Sequence, residues 1–255
     1  MNHVNGPRFM PVSERRAKAE KRLEALRAQG VTILPERAPG KDTASTVWST
    51  SWIQHMHSLP KIGKRLARGQ IYARNGSILH LEILPGQVKA LVMGTEVYEV
   101  SIPVLPVSGN VWQEAKDLCI GRVESVQDVY LGKVPEEVLR KLMDFQRGLF
   151  PGPKEFSLRC DCAEKKPVCK HAAAALYGIG SRLDRQPELL FKLRGVKAQD
   201  LVSSWAKKLR EQVEEKKNIL DLEQAKDIFD LDWDEQIRIS EVEAKPPGGD
   251  QETGK

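Results

Sequence analysis

An α+β architecture follows from three features of the sequence. Strand-like alternation is confined to residues 71–103, helical spacing prevails on either side, and Gly- and Pro-bearing turns separate the two regimes. The expected arrangement is an antiparallel β-meander with packed helices, followed by a small cysteine-bearing finger and a helical C-terminal region.

Residues 13–29 have helical character, with Ser13 as N-cap, Glu14 in the first turn and Gly30 just past the end. Only Leu23 and Leu26 offer bulky apolar contacts, so this helix is expected at the periphery. A Pro-, Gly- and Thr-bearing link over 35–46 leads to a segment, 48–60, that holds two tryptophans and two histidines. Four strands are expected at 71–74, 77–84, 87–93 and 96–103. In the second, Leu79, Leu81 and Ile83 point one way while His80 and Glu82 point the other. Asn75-Gly76 and Pro85-Gly86 supply the first two turns, the former in the manner of a two-residue hairpin.

Helical spacing returns at Trp112, Ala115 and Cys119, and again at Val138, Leu142 and Phe145, where Pro135 lies near the start and Gly148 past the end. A rigid connection over 149–153 enters the cysteine cluster. Beyond it, Ala172, Ala175, Leu176, Ile179 and Leu183 make an apolar helical stripe, two more helices fit 187–193 and 198–215, and the last ten residues are expected to be disordered. The expected organisation is an N-terminal helix and linker (1–47), an α+β domain with the meander (48–150), the finger (151–183), C-terminal helices (184–218) and an acidic segment with a tail (219–255).

Of the 255 residues, 40% are hydrophobic and 29% charged, the balance of a globular chain and not of a disordered or membrane-embedded one. No run approaches the roughly 18 apolar residues of a spanning helix, and the N-terminal region, with Arg8, Arg15 and Arg16, lacks the apolar core of a signal peptide. The expectation is a cytoplasmic protein without a membrane partner, in a compartment that keeps thiols reduced. Its net charge of +5 conceals a polarity. Residues 1–220 carry 36 Lys and Arg against 24 Asp and Glu, and residues 221–255 carry 4 against 11, so a body of +12 precedes a tail of −7. A basic body of this kind attracts polyanions, and nucleoid association is the corresponding cellular expectation.

Three of the four cysteines fall within ten residues. Cys160, Cys162, Cys169 and His171 form a C-x-C pair, six intervening residues and a C-x-H pair. One structural zinc ion takes four tetrahedral thiolate or imidazole ligands, and this segment supplies the full set. In an extended segment Cys160 and Cys162 point to one side, the loop 163–168 brings the second pair back, and His171 opens the following helix. Arg159, Lys165, Lys166 and Lys170 favour the thiolate forms. With all four positions filled by protein, the site is structural in kind. Cys119 shares a helical face with Trp112 and Ala115 and is assigned to core packing. His55 and His57 alternate but lack a local acidic or thiol partner, and are assigned to structural or surface roles.

C-x-C followed by C-x-H resembles the SWIM zinc finger, and the similarity extends to the bacterial SWIM zinc finger family proteins over about residues 11–209. It rests on Glu14-Arg15-Arg16-Ala17, the Trp48 and Trp52 pair, Arg68-Gly69-Gln70-Ile71-Tyr72-Ala73-Arg74-Asn75-Gly76, Gly148-Leu149-Phe150-Pro151, the helix from Lys170-His171 to Leu176-Tyr177-Gly178, Pro187-Glu188-Leu189-Leu190-Phe191, and Leu193-Arg194. The chain departs from the family at Ala163-Glu164-Lys165, where many members have proline, aspartate and tryptophan, and at Ser49 and Ile53, where glycine and cysteine are usual. The resemblance implies a zinc-binding module that binds DNA or protein, with a Snf2-type helicase-like ATPase as partner.

Two functional expectations follow. The first is a non-enzymatic nucleic-acid-binding or complex-assembly factor, with Lys61, Lys64, Arg65, Arg68, Arg74, Arg159, Lys165, Lys166 and Lys170 as candidate phosphate contacts and Tyr72 among them. The second is a protein-interaction adaptor without nucleic-acid contact, in which Ile228, Phe229, Leu231 and Trp233 alternate with acids as a docking segment. No Walker-type loop, G-x-S-x-G or H-E-x-x-H motif points to an enzyme.

Overall fold

The computed structural model describes residues 10–38, 45–164 and 166–202, other than the Lys64 side chain. The acidic segment, the C-terminal tail and most of the helix expected over 198–215 lie outside the described residues. The architecture is α+β. In order come α1 (Val12–Ala28), α2 (Val47–Ser58), a 3₁₀ turn (Gly63–Arg65), α3 (Leu66–Arg74), β1 (Ile78–Leu84), β2 (Gln87–Met93), β3 (Val97–Pro103), α4 (Gly109–Cys119), α5 (Val126–Leu131), α6 (Glu136–Leu142), β4 (Arg159–Cys160), α7 (Lys170–Leu183) and α8 (Glu188–Leu193).

The meander forms as expected for its last three strands, β1 pairing β2 and β2 pairing β3 in antiparallel register. The fourth strand is not the expected one. Residues 71–74 end helix α3, and the remaining strand is β4, which carries Cys160 and pairs with β3 through Val100↔Cys160 and Ser101↔Arg159. The Asn75-Gly76 turn is real, with Gly76 at φ +69, but it joins a helix to a strand. Pro85-Gly86 joins β1 to β2, with Gly86 at φ +70. The β1 alternation also breaks. A register shift between Ile78 and His80 sends Leu79 into a small cluster with Ala19 and Met93, while Ile78, Leu81 and Ile83 face the main core.

Helix α7 is the shaft of the fold. It packs against α2, α3 and the sheet, and its Ala172–Ala175 run is buried on every face. Small residues let the backbones close in. A Cβ on Gly69 of α3 would overlap the Ala173 backbone, so α3 and α7 meet at a distance that only glycine permits. Two tryptophans of α2 fill the space beside this pair. Both are almost wholly buried, and each indole N–H is satisfied, Trp48 donating to the Tyr130 carbonyl at 2.9 Å and Trp52 to the Leu176 carbonyl at 2.9 Å.

Helix α1 starts one residue earlier than expected, after Pro11 and without a side-chain cap, so Ser13 lies inside its first turn. It is held less by leucine than by Arg15. That side chain is buried, donates to the Ser77 hydroxyl at 3.2 Å, and places its guanidinium 3.9 Å from the Tyr72 ring centroid. Glu36 anchors the segment after α1. Its carboxylate has no exposure and accepts from Ser181 at 2.8 Å, Arg182 at 2.6 Å and Arg185 at 2.8 Å. Phe145 falls outside α6, which ends at Leu142, and packs at a tilt against His55 instead.

Candidate metal centre

Cys160 sits at the end of β4, and strand geometry carries on through Asp161, whose N–H donates to the Glu99 carbonyl at 3.3 Å and whose carboxylate accepts from the Glu99 N–H at 3.0 Å. That pairing turns Asp161 away and leaves Cys160 and Cys162 on the other side. Cys169 is the N-cap of α7, where its sulfur accepts from the Ala172 N–H at 3.3 Å. His171 follows in the first turn. The four donor atoms all lie within 4.8 Å of one another. The pair Cys160 Sγ and His171 Nδ1 is 3.8 Å apart, against the roughly 3.6 Å expected between a thiolate and an imidazole nitrogen on one tetrahedral zinc ion.

Electrostatics favour metallation. The Cys169 thiol is lowered to about 3, first by its hydrogen bond from Cys160 and then by those from His171 and the helix N-terminus. Cys160 is raised in turn, chiefly because it is the donor in that bond, and burial raises Cys162. The lowered Cys169 thiol eases loss of its proton to an incoming cation, which also displaces the protons of the remaining thiols. Three thiolates and an imidazole suit zinc, and four protein ligands leave no position for a substrate.

The His171 ring is 2% exposed and held between two tyrosine contacts. Tyr98 stacks on it at 4.2 Å between centroids, and Tyr72 meets it edge-on at 5.6 Å. Its Nε2 is buried without a hydrogen-bond partner and points at Gly94, where a Cβ would stand 2.5 Å away. The ring thus presents Nδ1 to the three sulfurs. The structure brings together the four residues that the sequence marks as candidate ligands, whereas Gly94, Tyr98 and the packing role of Tyr72 carry no such mark. The only local signal was a glycine just past a strand end.

Cys119 is fully buried, and burial pushes its thiol up to about 11, in keeping with the packing role. His55 and His57 do not share a face. His55 is buried between Phe145 and Phe150, with Nε2 2.9 Å from the Pro151 carbonyl, whereas His57 is exposed and lies 2.9 Å from the Tyr177 hydroxyl.

The candidate phosphate contacts divide. Lys61, Arg65 and Arg68, from the segment before and within α3, line a cleft of about 590 Å³ together with Lys166 and Lys170 from the zinc loop and α7. Among the described residues only Lys166 of these five pairs with a carboxylate, that of Glu164 at 3.4 Å. Arg74 lies at the far end of α3, where its carbonyl accepts from Arg37, and Arg159 is exposed on the edge strand β4. Neither lines the cleft. The Lys64 side chain and Lys165 lie outside what is described.

No family model matches the chain, and no solved structure matches it. The chain is 30% identical over 166 residues to the uncharacterized protein Rv2102 of Mycobacterium tuberculosis. The match covers 64% of this chain and 60% of that protein, so it spans less than two thirds of the relative's length. Among the described residues no helix is long and apolar enough to cross a membrane.

Proposed function

We propose that this chain is a SWIM-type protein in which one structural zinc ion organises a non-enzymatic binding surface for nucleic acid, and that it works in an assembly with a Snf2-type ATPase. The observation that carries the reading is the convergence of Lys61, Arg65, Arg68, Lys166 and Lys170 on one cleft, from two segments about a hundred residues apart. Four of the five have no carboxylate partner among the described residues, an arrangement that costs self-repulsion and is relieved by a polyanion. Zinc supports this surface indirectly. Its ligands Cys160, Cys162, Cys169 and His171 tie the loop that bears Lys166 to the helix that bears Lys170. The resemblance to SWIM fingers supplies the metal's identity and the ATPase partner.

The test is retention of the protein by nucleic acid at about 50 mM salt, with affinity falling steeply as salt rises. Reversing Arg65 and Arg68 to glutamate should abolish retention while zinc stoichiometry stays at one per chain. Retention that ignores salt or these two substitutions overturns the reading. Affinity purification with and without nuclease then separates a direct ATPase partner from one bridged by nucleic acid.

A further inference from the structure

The basic cleft does not stand alone. A second groove, of about 450 Å³, adjoins it and shares Pro60, Lys61, Pro167 and Val168 as a common wall. Its floor is apolar, formed by Leu59, Ile62, Phe156 and Leu158, and its rim carries Lys61 and Lys154. Phe156 and Leu158 are only partly covered by the core, so ring and aliphatic surface remain open to the groove. A cationic channel for phosphates thus runs directly into an apolar trough with a cationic rim.

We infer that the two grooves form one track for a single-stranded nucleic acid, with consecutive phosphates in the basic cleft and an unstacked base lying on Phe156 in the apolar groove. This rests on the reading of the chain as a nucleic-acid binder and adds which form it takes. A duplex keeps its bases stacked inside and offers an outer surface of phosphate and sugar, which would satisfy the cations and leave the apolar trough facing water. A single strand presents both chemistries at once, charge along the backbone and a π-face on every base. The rim lysines, Lys61 and Lys154, match the phosphates that flank the seated base. An acidic peptide would match the cations but, having no planar apolar face beside each charge, would use the trough less well.

Fluorescence anisotropy with the full chain tests this, using three probes: an oligothymidylate of about a dozen nucleotides, a hairpin duplex of similar charge, and polyglutamate. The expected order places the single strand at least tenfold tighter than either other probe at about 50 mM salt, with a log–log salt slope of about −0.7 for each phosphate neutralised. Phe156→Ala should weaken the single strand at least about fivefold while leaving that slope unchanged, since stacking carries no counterion release. Because Phe156 also bridges to Val104, Ser157→Glu is the second variant. Ser157 is exposed and lines the trough, so a carboxylate there repels the strand without touching the core, and unchanged zinc content reports an intact fold. Arg68→Gln should shallow the slope by about one contact in both nucleic-acid probes. Equal or tighter binding of the duplex or polyglutamate, or indifference of the single strand to both trough variants, overturns this inference and leaves the broader function standing. Failure of both nucleic-acid probes to bind overturns both.

Discussion

Replacing Gly94 with alanine should weaken metal binding at the Cys/His cluster without replacing any of its four donor residues. The new Cβ would stand 2.5 Å from His171 Nε2 and 2.7 Å from the Tyr98 ring, and no real Cβ tolerates either contact. Restoring an ordinary separation of about 3.4 Å requires a relative movement of about 0.9 Å. Tyr98 is stacked on the imidazole and Tyr72 meets it edge-on, so a ring that yields to the clash leaves its place among the sulfurs. Metal sites tolerate roughly 0.2 Å of ligand displacement, so a shift several times larger breaks the geometry. Loss of a supporting contact around a zinc ligand costs about 10–100-fold in metal affinity, or about 1.4–2.7 kcal/mol, and overpacking a core costs a similar amount. Competition against a chromogenic zinc chelator measures the change directly. Gly109→Ala is the control, because a Cβ there meets nothing within 4 Å. Zinc affinity of Gly94→Ala within twofold of the parent, or an equal loss in the control, would refute the claim that Gly94 seats the imidazole.

Three further outcomes are expected. Cys169→Ser should lose zinc and unfold the segment from β4 into α7, whereas Cys119→Ser should keep one zinc per chain; in the native protein Cys119, with its thiol at about 11 and no exposure, should resist alkylation at neutral pH and react only in denaturant, as read by mass spectrometry. Burial lowers the pKa of His55 from 6.5, so the unfolded chain takes up a proton that the folded chain refuses; stability is full above about pH 6.5 and declines as pH falls through that value toward the depressed one, and the gap between urea midpoints at about pH 7.5 and 5.5 should narrow in His55→Gln, the remainder including His80, which burial lowers likewise. Glu36→Gln should cost about 3 kcal/mol in urea unfolding, the low end for a broken buried ion pair, because Arg185 is 55% exposed and regains water while Arg182, at 11%, cannot; a loss below about 1 kcal/mol would mean that Ser181 and water replace the carboxylate.

The parts of the fold legible in the sequence are those fixed over short range. Strands β1 to β3 alternate and are divided by Pro85-Gly86, and the four ligands occupy twelve consecutive positions. The strand expected over 71–74 is the end of helix α3, because the residues that α3 buries, Gly69 and Ala73 beside Leu66, are too small to mark a helical stripe. They are small because α7 lies against them, a fact recorded a hundred residues away. The same packing explains the cleft. Lys61 to Arg68 and Lys166 to Lys170 stood out as two separate basic runs, and only the closeness of α3 to α7 makes them one wall-to-wall feature. Arg74 was grouped with them by sequence proximity, but one helix length carries it out of reach. The shift that expels Leu79 is likewise invisible locally, since Leu79 continues a perfect alternation and is moved by a backbone irregularity.

The candidate metal ligands straddle two layers of the protein, Cys160 on the sheet edge and Cys169 with His171 at the head of the central helix. A finger on a tether can empty and refill while its host stays whole. If a metal fills this site, ligation ties strand pairing to helix docking, so emptying it should loosen the alanine-rich shaft and its tryptophan neighbours toward proteases. If that metal is zinc, a shortage would then be read as loss of this protein to proteolysis more than as an unloaded surface.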